Sequence, residues 1–449
     1  LERYWRSRPD PEQQRADTFV LNLNFCGDLP PITADFGHVT SLSLAGNPGV
    51  LGSERFLERF PNLHTLDLHD FALDRVPPGL TQMSALRELI MTRCQLPLTP
   101  EDQAVLSSLD GLEALDLSDN PLTVVPDITG LPLLHELRLS NTGIDQLPKG
   151  LTDLEHLKIA TLHSNRIAEL PDDLFSVDRQ FAEGINLSHN PLSADSREQI
   201  KIHYAATGHD FAVPAGQAEI GRVQALFRLM DKEDASHVIY KLPGTLEDGR
   251  AQLARWEAEI SQLTEDLDHW TQDVPARHPL LGHTLGAPEI DAELIARQHF
   301  AQQLEQFWRQ RVPNTPELRD NTFIAEPSFI GEMPALTADF SHVSLLSLKG
   351  HDALRMQARF LDCFSGLQHL ELRHFDLGRI PSEIARIPTL EFLVLGRCGV
   401  VFDDEGQAVL GALPRLKMLD LFDNPLGRAP DLTPLQTLTF IDFSGTGIE

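Results

Sequence analysis

Cysteine is scarce in this sequence, with four residues in 449. A disulfide-stabilised scaffold needs dense and regularly spaced cysteines, so the sequence excludes that class and predicts reduced, structural thiols. Long apolar runs are also missing, and none approaches the roughly 18 or more residues of a transmembrane helix. Basic residues are few, since 37 Lys and Arg stand against 66 Asp and Glu. The formal net charge of -29 argues against nucleic acid or an anionic membrane as the main partner.

Residues 112–126, LEALDLSDNPLTVVP, contain the phrase that recurs through most of the chain. Its apolar positions follow L-x-x-L-x-L and an Asn follows at position 120, which is typical of a leucine-rich repeat. The central apolar residues of the first block are Leu42, Leu66, Leu89, Leu115, Leu137, Ala160 and Ile185. They are 22 to 26 residues apart, as this repeat requires. Because one repeat cannot bury its own apolar side, we expect the repeats to stack into a curved solenoid.

A second block repeats the first. Its central residues are Leu346, Leu370, Leu393, Leu419 and Ile441, and the shift from Leu42 to Leu346 is 304 residues. Residues 1–8, LERYWRSR, likewise match residues 304–311, LEQFWRQR, and both indicate the end of a helix. The sequence therefore predicts a duplicated module of about 300 residues. Since the second copy has fewer repeats, we expect the natural protein to continue beyond Glu449.

The middle of the chain has the apolar spacing of helices. One stripe comprises Leu253, Trp256, Ile260, Leu263, Leu267 and Trp270, and a later stripe includes Leu294, Leu304 and Trp308. Two such stripes predict an antiparallel hairpin that either docks on the end of a solenoid or acts as a spacer. The predicted fold class is α/β: two leucine-rich-repeat solenoids, each with a curved parallel sheet, joined by an α-helical hairpin-like insert.

These patterns divide the chain into four segments. Residues 1–16 are predicted to be the end of a helix and a linker. Residues 17–213 are predicted to form a first solenoid of about seven repeats. Residues 214–312 are predicted to be a helical connecting domain, and residues 313–449 a second solenoid of about five repeats.

The residue type at the turn after each strand predicts a structural role. Asn120 and its equivalents can satisfy buried backbone groups at the turn that follows the strand. Cys94 and Cys398 occupy the same position of their repeats, so we predict a structural role for both. Phe71 and Phe375 interrupt the series of Asn residues in the same way in both blocks. A packing role is predicted for this pair.

Side chains between the inward leucines are predicted to face the concave surface. In the first block they form a polar, mainly acidic lining that includes Asp67, His69, Glu88, Asp116, Glu136 and Arg138. In the second block they are Glu371 and Arg373 with an apolar patch of Phe392, Val394, Met418, Phe422 and Phe440. Large exposed apolar patches usually mark contacts. We expect the patch either to bind a protein partner, such as a host protein, or to pack against another domain of the same chain.

No catalytic, cofactor or metal site is predicted. The sequence contains no Walker A motif, no HExxH and no G-x-S-x-G elbow. His69 and His163 could share a face, but at about 4.7–4.9 Å per strand they would lie roughly 19 Å apart, too far to share a metal ion. We interpret Asp116 and Asp420 as solvated contact residues rather than general acids.

The phrases LSDNPLTVVP, LHSNRIAELP and LSHNPLS resemble the leucine-rich-repeat regions of large bacterial effector-like proteins. In that family the repeats precede a helical cysteine ubiquitin ligase of the novel E3 ligase (NEL) type, restrain it and select its substrates. Residues 215–312 lie where a ligase domain could follow, yet they contain no cysteine. The resemblance therefore implies a substrate-recognition role here and a catalytic domain beyond Glu449.

Two functions stay open at this point. The first is a protein-interaction scaffold within a larger bacterial effector-like protein, and the alternative is the substrate-binding part of a NEL-type ubiquitin ligase. No secretion signal is visible, so the sequence is compatible both with the bacterial cytoplasm and with delivery into a host cell.

Overall fold

The computed structural model describes residue 2 and residues 18–51, 53–228, 230–311 and 321–448. The helix end and linker predicted for residues 1–16 lie outside these residues, apart from residue 2. The chain folds as two compact units. The first is Leu1–Ala215 with Ile239–Leu246, and the second is Gly216–Val238 with Glu247–Glu449.

The first unit contains one large parallel sheet. Its described strands are β1 (Thr18–Asn22), β2 (Gly27–Asp28), β3 (Ser41–Ala45), β4 (Val50–Leu51), β5 (Thr65–His69), β6 (Glu88–Thr92), β7 (Ala114–Asp116), β8 (Glu136–Arg138), β9 (Ile159–Thr161) and β10 (Ile185–Asn186). Eight of them form the sheet in the order β1-β3-β5-β6-β7-β8-β9-β10, and β2 pairs with β4. The sheet is parallel because each repeat returns the chain to the same starting edge.

The second unit repeats this arrangement on a smaller scale. Its described strands are β11 (Thr322–Ala325), β12 (Gly331–Glu332), β13 (Leu345–Lys349), β14 (Leu354–Arg355), β15 (His369–Arg373), β16 (Phe392–Gly396), β17 (Met418–Asp420) and β18 (Phe440–Asp442). Six form a sheet in the order β11-β13-β15-β16-β17-β18, and β12 pairs with β14.

The register of both sheets confirms the predicted repeat positions. Leu42 pairs with Leu66, and each later central residue pairs with the next as far as Ile185. The second sheet pairs the central residues from Leu346 to Ile441 in the same way. The first strand of each sheet was not predicted from the repeat pattern. In these strands Phe19 pairs with Leu42 and Phe323 with Leu346. Both strands have Phe where the later strands have a central Leu or a similar aliphatic residue.

The helices lie between the strands and in the middle of the chain. They are α1 (Ser53–Leu57), α2 (Pro100–Ser107), α3 (Arg179–Gly184), α4 (Ala194–Thr207), α5 (Gln217–Leu226), α6 (Lys232–Lys241), α7 (Leu246–Gln272), α8 (Ala287–Trp308), α9 (Ala358–Asp362) and α10 (Asp404–Gly411). Short 3-10 helices occupy Pro78–Gln82, Asp172–Ser176 and Ser382–Arg386. Among the described residues, no helix combines the length and apolar character needed to cross a bilayer.

The predicted antiparallel hairpin is formed by α7 and α8. The indole of Trp308 donates to Glu259 at 2.9 Å, and the Arg297 guanidinium donates to the Trp270 carbonyl at 2.8 Å, so the two helices run in opposite directions. The Trp270 indole also donates to the carbonyl of Glu332 at 3.0 Å. Of the two alternatives, docking on a solenoid is therefore correct: the hairpin covers the first turn of the second solenoid.

The predicted turn chemistry is present in both modules. The side-chain oxygen of Asn120 accepts from the backbone N–H of Cys94 at 2.8 Å and of Leu96 at 3.1 Å, and its amide donates to the Leu117 carbonyl at 2.9 Å. Asn424 makes the same contacts one module later. Buried backbone groups are thereby satisfied, which confirms the role predicted for these Asn residues.

Phe71 and Phe375 have the predicted packing role. Each ring is buried, and it lies directly over a glycine of the preceding repeat. A β-carbon at Gly46 would lie 2.8 Å from the Phe71 ring, and one at Gly350 would lie 2.9 Å from the Phe375 ring. Glycine is required at both places because the ring fills the space that a side chain would take.

Candidate partner-binding surface

In each sheet, alternate side chains point away from the core and form what we call the open face. Parallel pairing in register places these side chains in rows that run across the strands. In the first sheet, the row at the start of the strands contains Ser41, Thr65, Glu88, Ala114, Glu136 and Ile159, and the middle row contains Ser43, Asp67, Ile90, Asp116 and Arg138. The first sheet therefore presents a mainly polar open face.

The predicted residues near the start of the first sheet form two separate hydrogen-bonded groups. Asp67 accepts from the Ser43 hydroxyl at 2.7 Å and lies 3.1 Å from the His69 ring nitrogen. Glu88 accepts from the Thr65 hydroxyl at 3.2 Å. Asp67 and His69 thus belong to one group and Glu88 to a second group on the neighbouring strands.

Farther along the first sheet, the remaining predicted residues form an ion-pair cluster. Arg138 pairs with Glu136 on the same strand, and its guanidinium lies 4.0 Å from Asp116. The cluster is partly exposed, so its contribution to folding stability is small, on the order of 1 kcal/mol or less. It leaves the face polar with part of its negative charge neutralised.

The second sheet has a different open face. Its first row contains Leu345, His369, Phe392, Met418 and Phe440, which pair consecutively across five strands. We call these five residues the apolar row. The rings of His369 and Phe392 stack at 5.5 Å with an interplanar angle of 26°. Phe440 is 50% exposed, and the other four side chains are half-buried.

The middle row of the second sheet corrects one prediction. Val394 was expected in an exposed apolar patch, but it is only 4% exposed. Its short side chain lies between Glu371 and Asp420 of the neighbouring strands. Val394 therefore supports the surface without being available to a partner.

The third row contains Phe422, another residue of the predicted patch. The ring of Phe422 is half-buried, because it lies on Gly396 and has the Arg373 guanidinium 5.8 Å from its centre. Arg373 also pairs with Glu371 at 2.5 Å. The predicted patch therefore becomes the apolar row, with Phe422, Arg373 and Glu371 as one packed group beside it.

Burial shifts the pKa values of two side chains in and beside the apolar row, Asp420 and His369. Burial raises the pKa of the Asp420 carboxyl, and the nearby Asp442 carboxylate raises it further, although the Phe422 backbone N–H donates to Asp420 at 3.0 Å. Burial lowers the pKa of His369, whose Nε2 is buried and has no hydrogen-bond partner in the described part of the chain. His369 is therefore neutral near pH 7 and acts as part of the apolar row.

The thiols of Cys94, Cys363 and Cys398 are poor nucleophiles because they are protonated near pH 7. Burial raises the pKa of Cys94 and of Cys398 to about 11 and that of Cys363 to about 12. The Sγ atoms of Cys94 and Cys398 also donate to backbone carbonyls at 3.3 Å, which confirms their structural role. Over the described ranges, no group of three or more His, Cys, Asp or Glu side chains is placed to hold a metal ion.

Three exposed apolar residues on the open faces were missed. Ile324 is 66% exposed and Val20 is 59% exposed, at equivalent positions of the first strands β11 and β1. Ile159 of the first sheet is 41% exposed. The constant shift of 304 residues between Phe19 and Phe323 was the signal that would have revealed β1 and β11.

No protein-family model matches the chain. Podocan of Mus musculus is 31% identical over 169 residues, which cover 33% of this chain and 27% of podocan. Oligodendrocyte-myelin glycoprotein of Homo sapiens is 33% identical over 165 residues, which cover 32% of this chain and 37% of that protein. These similarities agree with the repeat register of the two sheets. The chain has the leucine-rich-repeat fold.

The similarity to these relatives is confined to part of each protein. The aligned segment of this leucine-rich-repeat chain spans 27% of podocan and 37% of oligodendrocyte-myelin glycoprotein. Among solved structures, an LRR protein of Leptospira interrogans aligns with a TM-score of 0.37 and 17% identity, covering 100% of this chain and 94% of that one.

Proposed function

We propose that this leucine-rich-repeat protein is a protein-interaction scaffold that binds a protein partner through the open face of its second sheet. The observation that carries the proposal is the apolar row, Leu345, His369, Phe392, Met418 and Phe440. Five consecutive strands place apolar or neutral side chains at one position of the open face. The corresponding row of the first sheet includes Thr65, Glu88 and Glu136.

The chemistry of the apolar row suits a protein partner. Aromatic side chains with a rigid neighbourhood contribute strongly to protein interfaces, because burying them removes much apolar surface from water at a small entropic cost. Stacking on His369 holds Phe392 in place before binding. Phe440 has half of its surface available for burial. Acidic Glu371 and Asp442 lie in the adjacent row and favour a partner with basic residues beside its apolar segment.

The open face of the first sheet is more polar and contributes to binding in a different way. The polar residues Asp67, His69 and Glu88 and the cluster of Asp116, Glu136 and Arg138 are partly exposed. Such groups contribute more to selectivity and association rate than to affinity. We assign the larger share of binding energy to the apolar row for that reason.

A finer candidate function is substrate recognition for a NEL-type ubiquitin ligase. Its support is the resemblance of the repeat phrases to that family and the conversion of one module's open face from polar to apolar. The raised pKa values of Cys94, Cys363 and Cys398 make those thiols poor nucleophiles. Discharge of ubiquitin from E2 enzymes by the natural full-length gene product would support this function, and no discharge with a broad E2 panel would exclude it.

The binding proposal is tested by site-specific photo-crosslinking. A benzophenone amino acid is placed at Phe440 in one variant and at Val401 in another. Val401 is 52% exposed but lies outside the sheet, so it is a matched control. A protein that crosslinks at Phe440 and not at Val401 is expected. Equal crosslinking at both positions, or none at Phe440, would contradict the proposal.

A further inference from the structure

A strip of surface at the start of each solenoid is buried in the second module and largely exposed in the first. In the second module the strip consists of Phe329, Ile330, Pro334, Leu336 and Ala338, all buried. The counterparts 304 residues earlier are Phe25, Cys26, Pro30, Ile32 and Ala34, which we call the leading strip. Phe25 is 40% exposed where Phe329 is 0% exposed. Cys26 and Pro30 are exposed, and Ile32 and Ala34 are half-buried.

The helical hairpin accounts for the burial in the second module. The ring of Phe329 lies 4.8 Å from that of Trp270 on α7 and 5.4 Å from that of Phe300 on α8. The guanidinium of Arg297 lies 4.8 Å from the Trp270 ring centre and 5.7 Å from the Phe329 ring centre. Arg297 is 2% exposed, so this cation is enclosed between the hairpin and the strip.

The same hairpin also satisfies backbone groups of the strip. Glu293 accepts from the Ile330 N–H at 2.9 Å, and Arg297 donates to the Ile330 carbonyl at 3.0 Å. Within the described residues, the backbone of the counterpart Cys26 has no such helix contact. Among the residues that the structure describes, none covers the apolar side chains and polar backbone of the leading strip as the hairpin covers their counterparts.

The leading strip keeps the shape that receives the hairpin. Gly331 has a φ of +94°, and a β-carbon there would lie 3.3 Å from the Arg297 guanidinium. Gly27 has a φ of +116°, and a β-carbon there would meet nothing within 4 Å. The backbone turn is therefore conserved between the two copies, while the space beside it is open in the first.

The chain also keeps the sequence that would join such a hairpin to the first solenoid. Residues 304–311, LEQFWRQR, include the last turn of α8, and residues 1–8 are LERYWRSR. In the second module this helix end is tied to the solenoid, because His342 Nε2 lies 3.2 Å from the Phe307 carbonyl oxygen. The counterpart of His342 is His38, whose Nε2 is buried without a hydrogen-bond partner in the described part of the chain.

We propose that the leading strip is a docking surface for a helical hairpin of the α7–α8 type. The occupant carries a tryptophan, an arginine and a phenylalanine at the positions of Trp270, Arg297 and Phe300. Residues 1–8 follow it as residues 304–311 follow residue 303. This surface is separate from the apolar row, so the proposal is independent of the proposed function.

Cys26 provides a native reporter for the test. It is exposed, whereas its counterpart Ile330 is covered by the hairpin. A copy of residues 247–303 is fused ahead of Leu1, in the register in which they precede Leu304. Alkylation of Cys26 by iodoacetamide is followed by peptide-resolved mass spectrometry. The fusion is expected to slow alkylation of Cys26 at least about tenfold relative to the unfused chain, because reaction then requires local opening.

Two controls make the result decisive. In a control fusion, the copied Trp270, Arg297 and Phe300 are all changed to Ala, and the fast rate is expected to return. In the unfused chain, Ile330→Cys introduces a thiol that the native hairpin should protect, which shows that the second module remains folded. Equal Cys26 rates in the fused and unfused chains would overturn the proposal. Protection of Cys26 by the control fusion would also overturn the proposal, because it would indicate nonspecific cover. Protection of Cys26 that rises with the concentration of the unfused chain would overturn it as well, because it would indicate that a second copy covers the strip.

Discussion

Phe422 occupies the space above Gly396. A β-carbon added to Gly396 would lie 2.0 Å from a ring carbon of Phe422, which no side chain can tolerate without displacement. The equivalent positions of the first module hold Thr92 and Ser118. Each module thus has a pair of complementary size. The first module pairs Thr92 with the small Ser118, and the second pairs Gly396 with the aromatic ring of Phe422.

We predict that substitutions at Gly396 and Phe422 have strongly coupled effects on the free energy of unfolding. Gly396→Thr alone is expected to destabilise the second unit by about 1–3 kcal/mol, because it overpacks the space under the ring. Adding Phe422→Ser recreates the first-module pair and should recover most of that loss. Urea denaturation followed by tryptophan fluorescence measures it, since Trp256, Trp270 and Trp308 all lie in the second unit. Simple additivity of the two substitutions would contradict this packing.

Asn424 is predicted to be one of the most sensitive polar residues. Asn424→Ala leaves the backbone N–H groups of Cys398 and Val400 without their acceptor in a buried place. We expect a loss of about 3 kcal/mol by the same denaturation. Gln436→Ala is the control, because this exposed side chain makes a single hydrogen bond to the Thr433 carbonyl, at 2.7 Å. Its expected effect is within about 0.5 kcal/mol, and similar losses for both variants would refute the buried role of Asn424.

Asp420 predicts a pH dependence with a definite sign. Folding raises the pKa of this carboxyl above its ordinary 3.8, so the folded state holds the proton more tightly than the unfolded state. Stability is therefore lost as the pH rises through the raised pKa. Asp420→Asn should melt at a higher temperature than the natural protein at pH 7, and the difference should vanish at about pH 3.

The counterpart Asp116 is the control for that experiment. Arg138 lies 4.0 Å from Asp116, so Asp116→Asn removes a favourable charge and should not raise the melting temperature at pH 7. Calorimetry at several pH values measures both variants. A gain for Asp116→Asn as large as that for Asp420→Asn would show that burial of Asp420 is not the cause.

His342 predicts the opposite dependence in acid. Burial lowers the pKa of its imidazole from 6.5 to about 4, so between these values the unfolded state binds a proton that the folded state does not. The contribution of neutral His342 to the stability of the second unit is complete above pH 6.5. It is lost as the pH falls toward 4, by about 3 kcal/mol. In His342→Gln the loss between pH 7 and pH 4.5 should be correspondingly smaller. An unchanged loss would contradict the assignment.

The repeat register was predictable because stacking leaves little choice. A strand whose alternate residues are Leu must bury them against the neighbouring repeat, so the spacing from Leu42 to Leu66 fixes which residues pair. The Asn ladder was predictable for a similar reason, since Asn120 satisfies backbone groups that every repeat buries. The first strands were not found, because Phe19 and Phe323 do not match the leucine pattern.

The exposure of the candidate site was harder to predict. Periodicity shows which face a residue takes, but the size of the neighbours decides how much of it is covered. Val394 is covered, and Phe422 is held down on Gly396, because of residues on adjacent strands 23 or more positions away. The burial of Phe329, in contrast with Phe25, depends on a hairpin that the repeat pattern does not contain.

Binding of a protein partner by the apolar row can be measured as a dissociation constant. The protein crosslinked at Phe440 is purified, and its affinity is measured for the natural chain, for Phe392→Ser with Phe440→Ser, and for Ile159→Ser. Ile159 is the matched control, because it is an exposed apolar residue in the corresponding row of the first sheet. We predict a loss of about 30-fold or more for the double variant and a change within about twofold for the control. An unchanged dissociation constant for the double variant, with the fold intact by circular dichroism, would show that the apolar row is not the binding surface.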